Sequence, residues 1–130
     1  NRLKMEDIIT APISTEEMLP AVAQGAIGIE RRENDIRIAT MLEAIHNSKT
    51  GLLLSAERAF LEALDGSCET PIAGLAELRN GNLRFRGEIL KPDGSEVFGD
   101  EQVASKDDAT LMGVEMAQKL LSKAGSDFFL

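Results

Sequence analysis

The stretch IAGLAELRNGNLRFRGEIL, residues 72–90, decides the fold. Its first eight residues alternate in the manner of a strand with one covered face, and Asn80–Gly81 follows at once. An Asn-Gly pair between two alternating runs supplies the left-handed dihedrals that a two-residue hairpin loop needs. In the second run Leu83, Phe85 and Ile89 fall on one face, and Arg84, Arg86 and Glu88 on the other. The arginines are read as the solvated side of the strand. KPDGSE, residues 91–96, makes a second tight turn: Pro92 presets its φ and Gly94 accepts a positive one. A third strand is expected over about 96–103.

Outward from this meander the period changes from two to 3.6. Before it, Leu53, Ala56, Phe60 and Leu64 line one face of a helix, with Ser48 expected as its N-cap and Gly66 as its terminator. After it, SKDDATLMGVEMAQKLLSKAG, residues 105–125, reads as a capped helix. Acidic residues open it, Lys123 lies in its last turn and Gly125 just beyond. From Ser48 onward the fold class is therefore α+β: helix, three-stranded antiparallel meander, helix, with the helices on one sheet face. Upstream, Ile36, Ala39, Leu42 and Ile45 give a further amphipathic helix from Asp35. AVAQGAIGIERR, residues 21–32, reads as a strand entered through a glycine-containing turn, and Pro12 and Pro20 break any long element before it.

Composition narrows the partners. The chain has 130 residues, a net charge of -8 and one cysteine. The acidic balance argues against nucleic acid as the main partner, and one cysteine cannot close an internal disulfide. No apolar run approaches the ~18 residues of a membrane span. A soluble, cytoplasmic protein is expected. The opening NRLKMEDIITAPIS, residues 1–14, has no initiator methionine and reads as cut from a longer chain.

Few residues could carry chemistry. Cys68 follows a helix C-terminus and precedes Glu69, two negative influences that disfavour a thiolate. In a polar loop it is either idle or a point of attachment. His46, the only histidine, lies at the far end of the preceding helix and is read as closing a helix C-terminus, not as a catalytic partner or metal ligand. Gln24–Gly28, QGAIG, suits a tight strand entry or a ligand-lining loop and matches no nucleotide fingerprint. Glu57 and Arg58 sit mid-helix among small and apolar residues and are read as a structural contact to another element. The residues alone reach a soluble α+β domain with an unexplained loop thiol. A binding module whose thiol is incidental or redox-sensitive and, more weakly, a thiol enzyme lacking its histidine partner stay open beside what any resemblance implies.

Taken together, LPAVAQGAIGIE (residues 19–30) and SAERAFLEALDGSCETPIAG (residues 55–74) resemble the porphobilinogen deaminase (hydroxymethylbilane synthase) family of tetrapyrrole synthesis. The resemblance covers essentially the whole chain. It implies a transferase that condenses four porphobilinogen molecules, with release of ammonia, into linear hydroxymethylbilane. In that family the cysteine of an "LEGGC" loop forms a thioether to a dipyrromethane cofactor, and Cys68 matches it. Asp65 and Ser67 depart from the motif, and Ala23 stands where the family often reads "VGQG". The same resemblance implies cofactor contacts for Arg2, Gln24, Gly25 and Ser67. A guanidinium at Arg2 suits the acetate and propionate groups of porphobilinogen, which it can grip through paired donors.

The resemblance also implies an organisation. Residues 1–22 resemble the end of the family's second domain, 23–46 the return strand and helix of its first, and 47–130 its third, cofactor-anchoring domain. The catalytic aspartate and lysine and most carboxylate-binding arginines then fall before Asn1, so no catalytic residue and no metal site is expected within the chain. The implied partners are porphobilinogen, pyrrole-chain intermediates and the remaining N-terminal part of a monomeric, cytoplasmic parent, without nucleic acid or membrane.

Overall fold

The computed structural model of the chain describes residues 4–67, 70–125 and 128–129. Three helices, α1 (Ile36–Glu43), α2 (Ser48–Ala63) and α3 (Ala109–Ala124), accompany one antiparallel sheet. Its strands are β1 (Ile72–Arg79), β2 (Asn82–Leu90) and β3 (Val97–Ser105), in the order β1-β2-β3. The expected α+β meander between two helices is thus present. Arg79 pairs with Asn82 across the hairpin, and Asn80 (φ 52°) and Gly81 (φ 84°) both adopt the left-handed region. A two-residue loop with both dihedrals positive matches the right-handed twist of the strands it joins. None of the helices of the described residues is long and apolar enough to cross a membrane.

Helices α2 and α3 cover one face of the sheet. Leu83, Phe85 and Ile89 are buried there, as their alternation requires, together with Phe60 of α2 and Met116 and Leu120 of α3. The rings of Phe60 and Phe85 meet edge to face, 5.2 Å apart. The two helices cross closely at Gly113, where an added Cβ would overlap the carbonyl oxygen of Ala56 and stand 2.8 Å from the amide nitrogen of Phe60. Asp100 of β3 ties α3 to the sheet edge by accepting from Lys119 Nζ (2.8 Å) and Lys123 Nζ (2.9 Å). These two ammonium groups, Lys119 foremost, hold the Asp100 carboxyl well below the usual carboxylate range.

The opposite face corrects one expectation. Arg84 and Arg86 do not project into solvent; Arg86 is only 8% exposed. Arg84 grips Glu101 through two hydrogen bonds of 2.8 Å and reaches Glu77 at 3.2 Å. Arg86 donates to the Thr15 carbonyl (2.9 Å) and to Glu16 Oε2 (3.0 Å). The alternation placed both arginines off the core correctly but could not show that residues 14–19 return to cover them. That segment is shaped by a reciprocal cap: the Ser14 hydroxyl donates to Glu17 Oε2 (2.9 Å) and accepts from the Glu17 amide (3.3 Å).

Other expectations shift by small, explicable amounts. The N-cap of α2 is Asn47, whose Oδ1 accepts from the Thr50 amide (2.9 Å); Ser48 is the first helical residue. The third strand runs Val97–Ser105, because its register against β2 continues to Asn82↔Ser105. Helix α1 ends at Glu43, before Ile45. The ring of His46 lies against Gly51 in the first turn of α2, while its backbone amide bonds to Glu43 O (3.2 Å) at the end of α1. Residues 21–32 form no strand. Ala23 (φ 61°) and Gly25 (φ 78°) curl the chain through two turns, Gln24 N to Ala21 O and Ala26 N to Ala23 O. A single bridge, Ala21↔Ala73, is all that pairs with the sheet, and Ile27 and Ile29 are exposed.

Gly113→Ala is expected to cost about 3 kcal/mol in urea unfolding, the upper range for forcing a methyl into a filled space, because backbone atoms of α2 cannot yield as a side chain can. Asp100 gives a signed pH dependence. A carboxyl whose folded pKa is depressed contributes stability above its unfolded value of about 3.9 and loses it as pH falls through that region. The urea midpoint should hold from neutral pH down to about 5 and decline below about 4, and Asp100→Asn should flatten that decline.

Candidate functional site

The segment that carries the lone thiol leaves α2 through a tightly closed end. Asp65 takes the left-handed position (φ 51°), its amide bonds to Glu62 O (3.0 Å), and the Gly66 amide reaches back to Leu61 O (3.0 Å). This pair of bonds satisfies carbonyls that a helix end otherwise leaves open. The expectation that Gly66 ends the helix is therefore corrected: Asp65 makes the turn. Gly66 has a different requirement. A Cβ there would lie 2.6 Å from both Leu61 Cδ1 and Ile72 Cδ1, so a larger residue would push these side-chain ends aside where the helix end meets the start of β1.

Cys68 and Arg2 lie outside the described residues. Ser67 and Thr70, the neighbours of Cys68 and Glu69 in the chain, are fastened to one another. The Ser67 amide donates to Thr70 Oγ1 (3.0 Å), the two hydroxyls are 3.2 Å apart, and the Thr70 amide donates to the Ser67 carbonyl (3.2 Å). On the exit side Ile72 N bonds to Thr70 O (2.8 Å) and Leu90 N to Pro71 O (3.0 Å). Asp65 and Ser67 are exposed. The described residues on either side of Cys68 and Glu69 are thus fastened to one another.

Gln24 and Gly25 occupy the turn after Leu19, which is buried and seats the segment on the sheet edge. Gly74 N of β1 donates to Pro20 O (3.0 Å). Glu57 of α2, 6% exposed, accepts from Ala23 N through Oε2 (2.8 Å) and from Ala76 N of β1 through Oε1 (2.9 Å). The structural reading of Glu57 is borne out, while Arg58 beside it is exposed. Gly25 lines a cavity of about 590 Å³ with Ile27, Ile29, Leu42, His46 and Leu54. Ser67 is not on that cavity. From Glu57 to the end of α2 the helix rises about 9 Å, which places the two candidate regions at different heights along α2.

Sequence reasoning missed Thr70, whose only signal was a hydroxyl three residues after Ser67, and the left-handed Ala23, whose signal was the glycine that the family's "VGQG" has at this position. Ala23→Gly is expected to stabilise the chain by about 0.5–1 kcal/mol in urea unfolding. That is the ~1–2 kcal/mol of left-handed strain less ~0.4–1 kcal/mol of added chain entropy.

Comparison with known proteins agrees along the whole chain. Residues 52–122 match the family model described as porphobilinogen deaminase, C-terminal domain, and residues 1–40 match the one described as its dipyromethane cofactor binding domain. A porphobilinogen deaminase of Paracoccus denitrificans is 53% identical over 128 residues, 98% of this chain and 41% of the relative. One of Nitrobacter hamburgensis is 44% identical over 129 residues, 99% of this chain and 41% of the relative. The chloroplastic porphobilinogen deaminase of Pisum sativum is 46% identical over 131 residues, 98% of this chain and 36% of the relative. The chain therefore spans about two fifths of the length of the curated relatives it matches. With its C-terminal domain model spanning more than half of the sequence and including the clamped loop between α2 and β1, the chain belongs to the porphobilinogen deaminase family.

Proposed function

We propose that this chain is the C-terminal portion of a hydroxymethylbilane synthase, a transferase that joins four porphobilinogen molecules with loss of ammonia. In this reading Cys68 holds the dipyrromethane cofactor through a thioether. The observation that carries it is where the chain's only cysteine falls. Its loop lies inside the family's C-terminal domain match, and the residues on both flanks are fastened by hydrogen bonds.

The bound cofactor supplies a primer from which the pyrrole chain grows. This chain's residues anchor and orient it. Sulfur suits the attachment because it is a far better nucleophile near neutral pH than a hydroxyl. Cys68 would hold the dipyrromethane through its sulfur, and its acidic neighbour Glu69 is not called on to activate it. The Ser67–Thr70 fastening replaces the glycine freedom of the "LEGGC" pattern with hydrogen bonds. Gln24 and Gly25 line the cofactor cleft in this reading, and Arg2 pairs with a carboxylate through its two-pronged donors. The domain assignment is 1–22 from the second domain, 23–46 from the first and 47–130 as the third. The general acid–base groups belong to the part of the parent before Asn1, and the parent is a cytoplasmic monomer.

Two measurements test the assignment. In a chain of the relatives' full length, Cys68→Ser should fold with stability changed by no more than about 0.5 kcal/mol. It should lack a pyrrole adduct by intact mass, give no colour with an aldehyde reagent for pyrroles, and lose most activity. A retained adduct with full turnover removes Cys68 as the anchor. The present chain alone should convert no porphobilinogen above the uncatalysed rate, and turnover by it would overturn the upstream placement of the catalytic groups.

A further inference from the structure

We propose that Glu57 is a positioning residue for the hydroxymethylbilane synthase reaction, and the inference rests on that assignment: its carboxylate sets the Gln24–Gly25 turn relative to the loop of Cys68. Glu57 is buried, and among the described residues no cation pairs with it. An unpaired carboxylate is costly to bury, and a core needing only volume there is served better by an apolar side chain. The two oxygens are instead divided between two backbone donors, Ala76 N at the open edge of β1 and Ala23 N at the left-handed residue before Gln24.

The division matters because the two donors lead to different parts of the chain. Upstream of Ala23 the segment is held to the sheet by Pro20 O and by the Ala21↔Ala73 bridge. Downstream of Ala23, every hydrogen bond described as far as α2 joins residues close in sequence. The bond to Glu57 is thus the last long-range tie before the chain runs free toward α1, and it fixes the direction in which Gln24 and Gly25 point. At the other end, Glu57 is built into α2 and bonded to β1, the two elements between which the thiol loop is strung. One side chain therefore connects the turn to both flanks of the loop.

The test uses a chain of the relatives' full length carrying Glu57→Gln. Glutamine keeps the shape but offers one acceptor where two are needed, so Ala23 N or Ala76 N loses its partner. Well below the unfolding temperature, the variant should keep its covalent pyrrole mass. The Ala23 amide should exchange about tenfold faster while Phe85 in β2 is unchanged, and kcat should fall about tenfold with KM within about twofold. A purely structural role lowers activity only in proportion to the unfolded fraction, and that result overturns the proposal, as does an unchanged kcat. Should Glu57→Gln not fold, Glu57→Asp, which holds both acceptors one methylene short, is read by the same measurements. In the parent chain itself, an Ala23 amide that exchanges at the rate of unprotected backbone overturns the proposal whatever the variants do. A parent with product but no adduct on Cys68 sinks the anchoring assignment instead, and Glu57 is then judged on exchange and kcat alone.

Discussion

The buried carboxylate of Glu57 is the constraint on which the arrangement of this chain depends. It joins α2, the outer edge of β1 and the turn at residues 20–25 through one hydrogen bond to each of the latter two. A buried amide left without an acceptor costs about 1–3 kcal/mol, and Glu57 answers two of them. An edge strand with open donors also invites pairing with another chain. Here Gly74 N and Ala76 N of that edge are occupied by Pro20 O and by Glu57. The edge of the sheet is closed by the same contacts that seat the turn.

The two faces of the sheet are stabilised by different physics. On the helix face the Phe60–Phe85 contact and the buried Leu83, Ile89, Met116 and Leu120 make a dry core. Close approach of the helices is permitted by Gly113. The other face is held by guanidinium groups. Arg84 and Arg86 are surrounded by Glu16, Glu77 and Glu101, so their charges are matched where they are shielded from water. Arg86 in particular would be poorly placed without residues 15 and 16 laid over it. Arg86 thereby docks the N-terminal segment, while Arg84 ties β2 to its neighbours β1 and β3.

The flanks of the loop between α2 and β1 are fixed by local bonds and close packing. The loop leaves a helix at its negative end, and its charged neighbours are acidic. What the fold provides is a fixed base: the left-handed Asp65, the space-limited Gly66 against Ile72, and the fastening of Ser67 to Thr70.

The meander was legible in the sequence because its signals are local: alternation in residues 72–79 and 83–89, and an Asn-Gly pair whose dihedrals few other residues accept. The covered faces of α2 and α3 were legible for the same reason, and the family was legible from the cysteine stretch. Tertiary structure decided the rest. Alternation places Arg84 and Arg86 opposite the core but says nothing of a segment some 70 residues away that covers them. Apolar residues at 27 and 29 suggest a strand, yet a strand needs a partner edge, and the turn at Ala23 directs the chain away from β1. Gly66 looks like a helix terminator, although its requirement comes from Ile72 across the loop. Glu57 was readable as a structural contact, but the identity of its two partners is a property of three elements meeting in space. Local periodicity determines which face a side chain shares; only packing determines what meets it there.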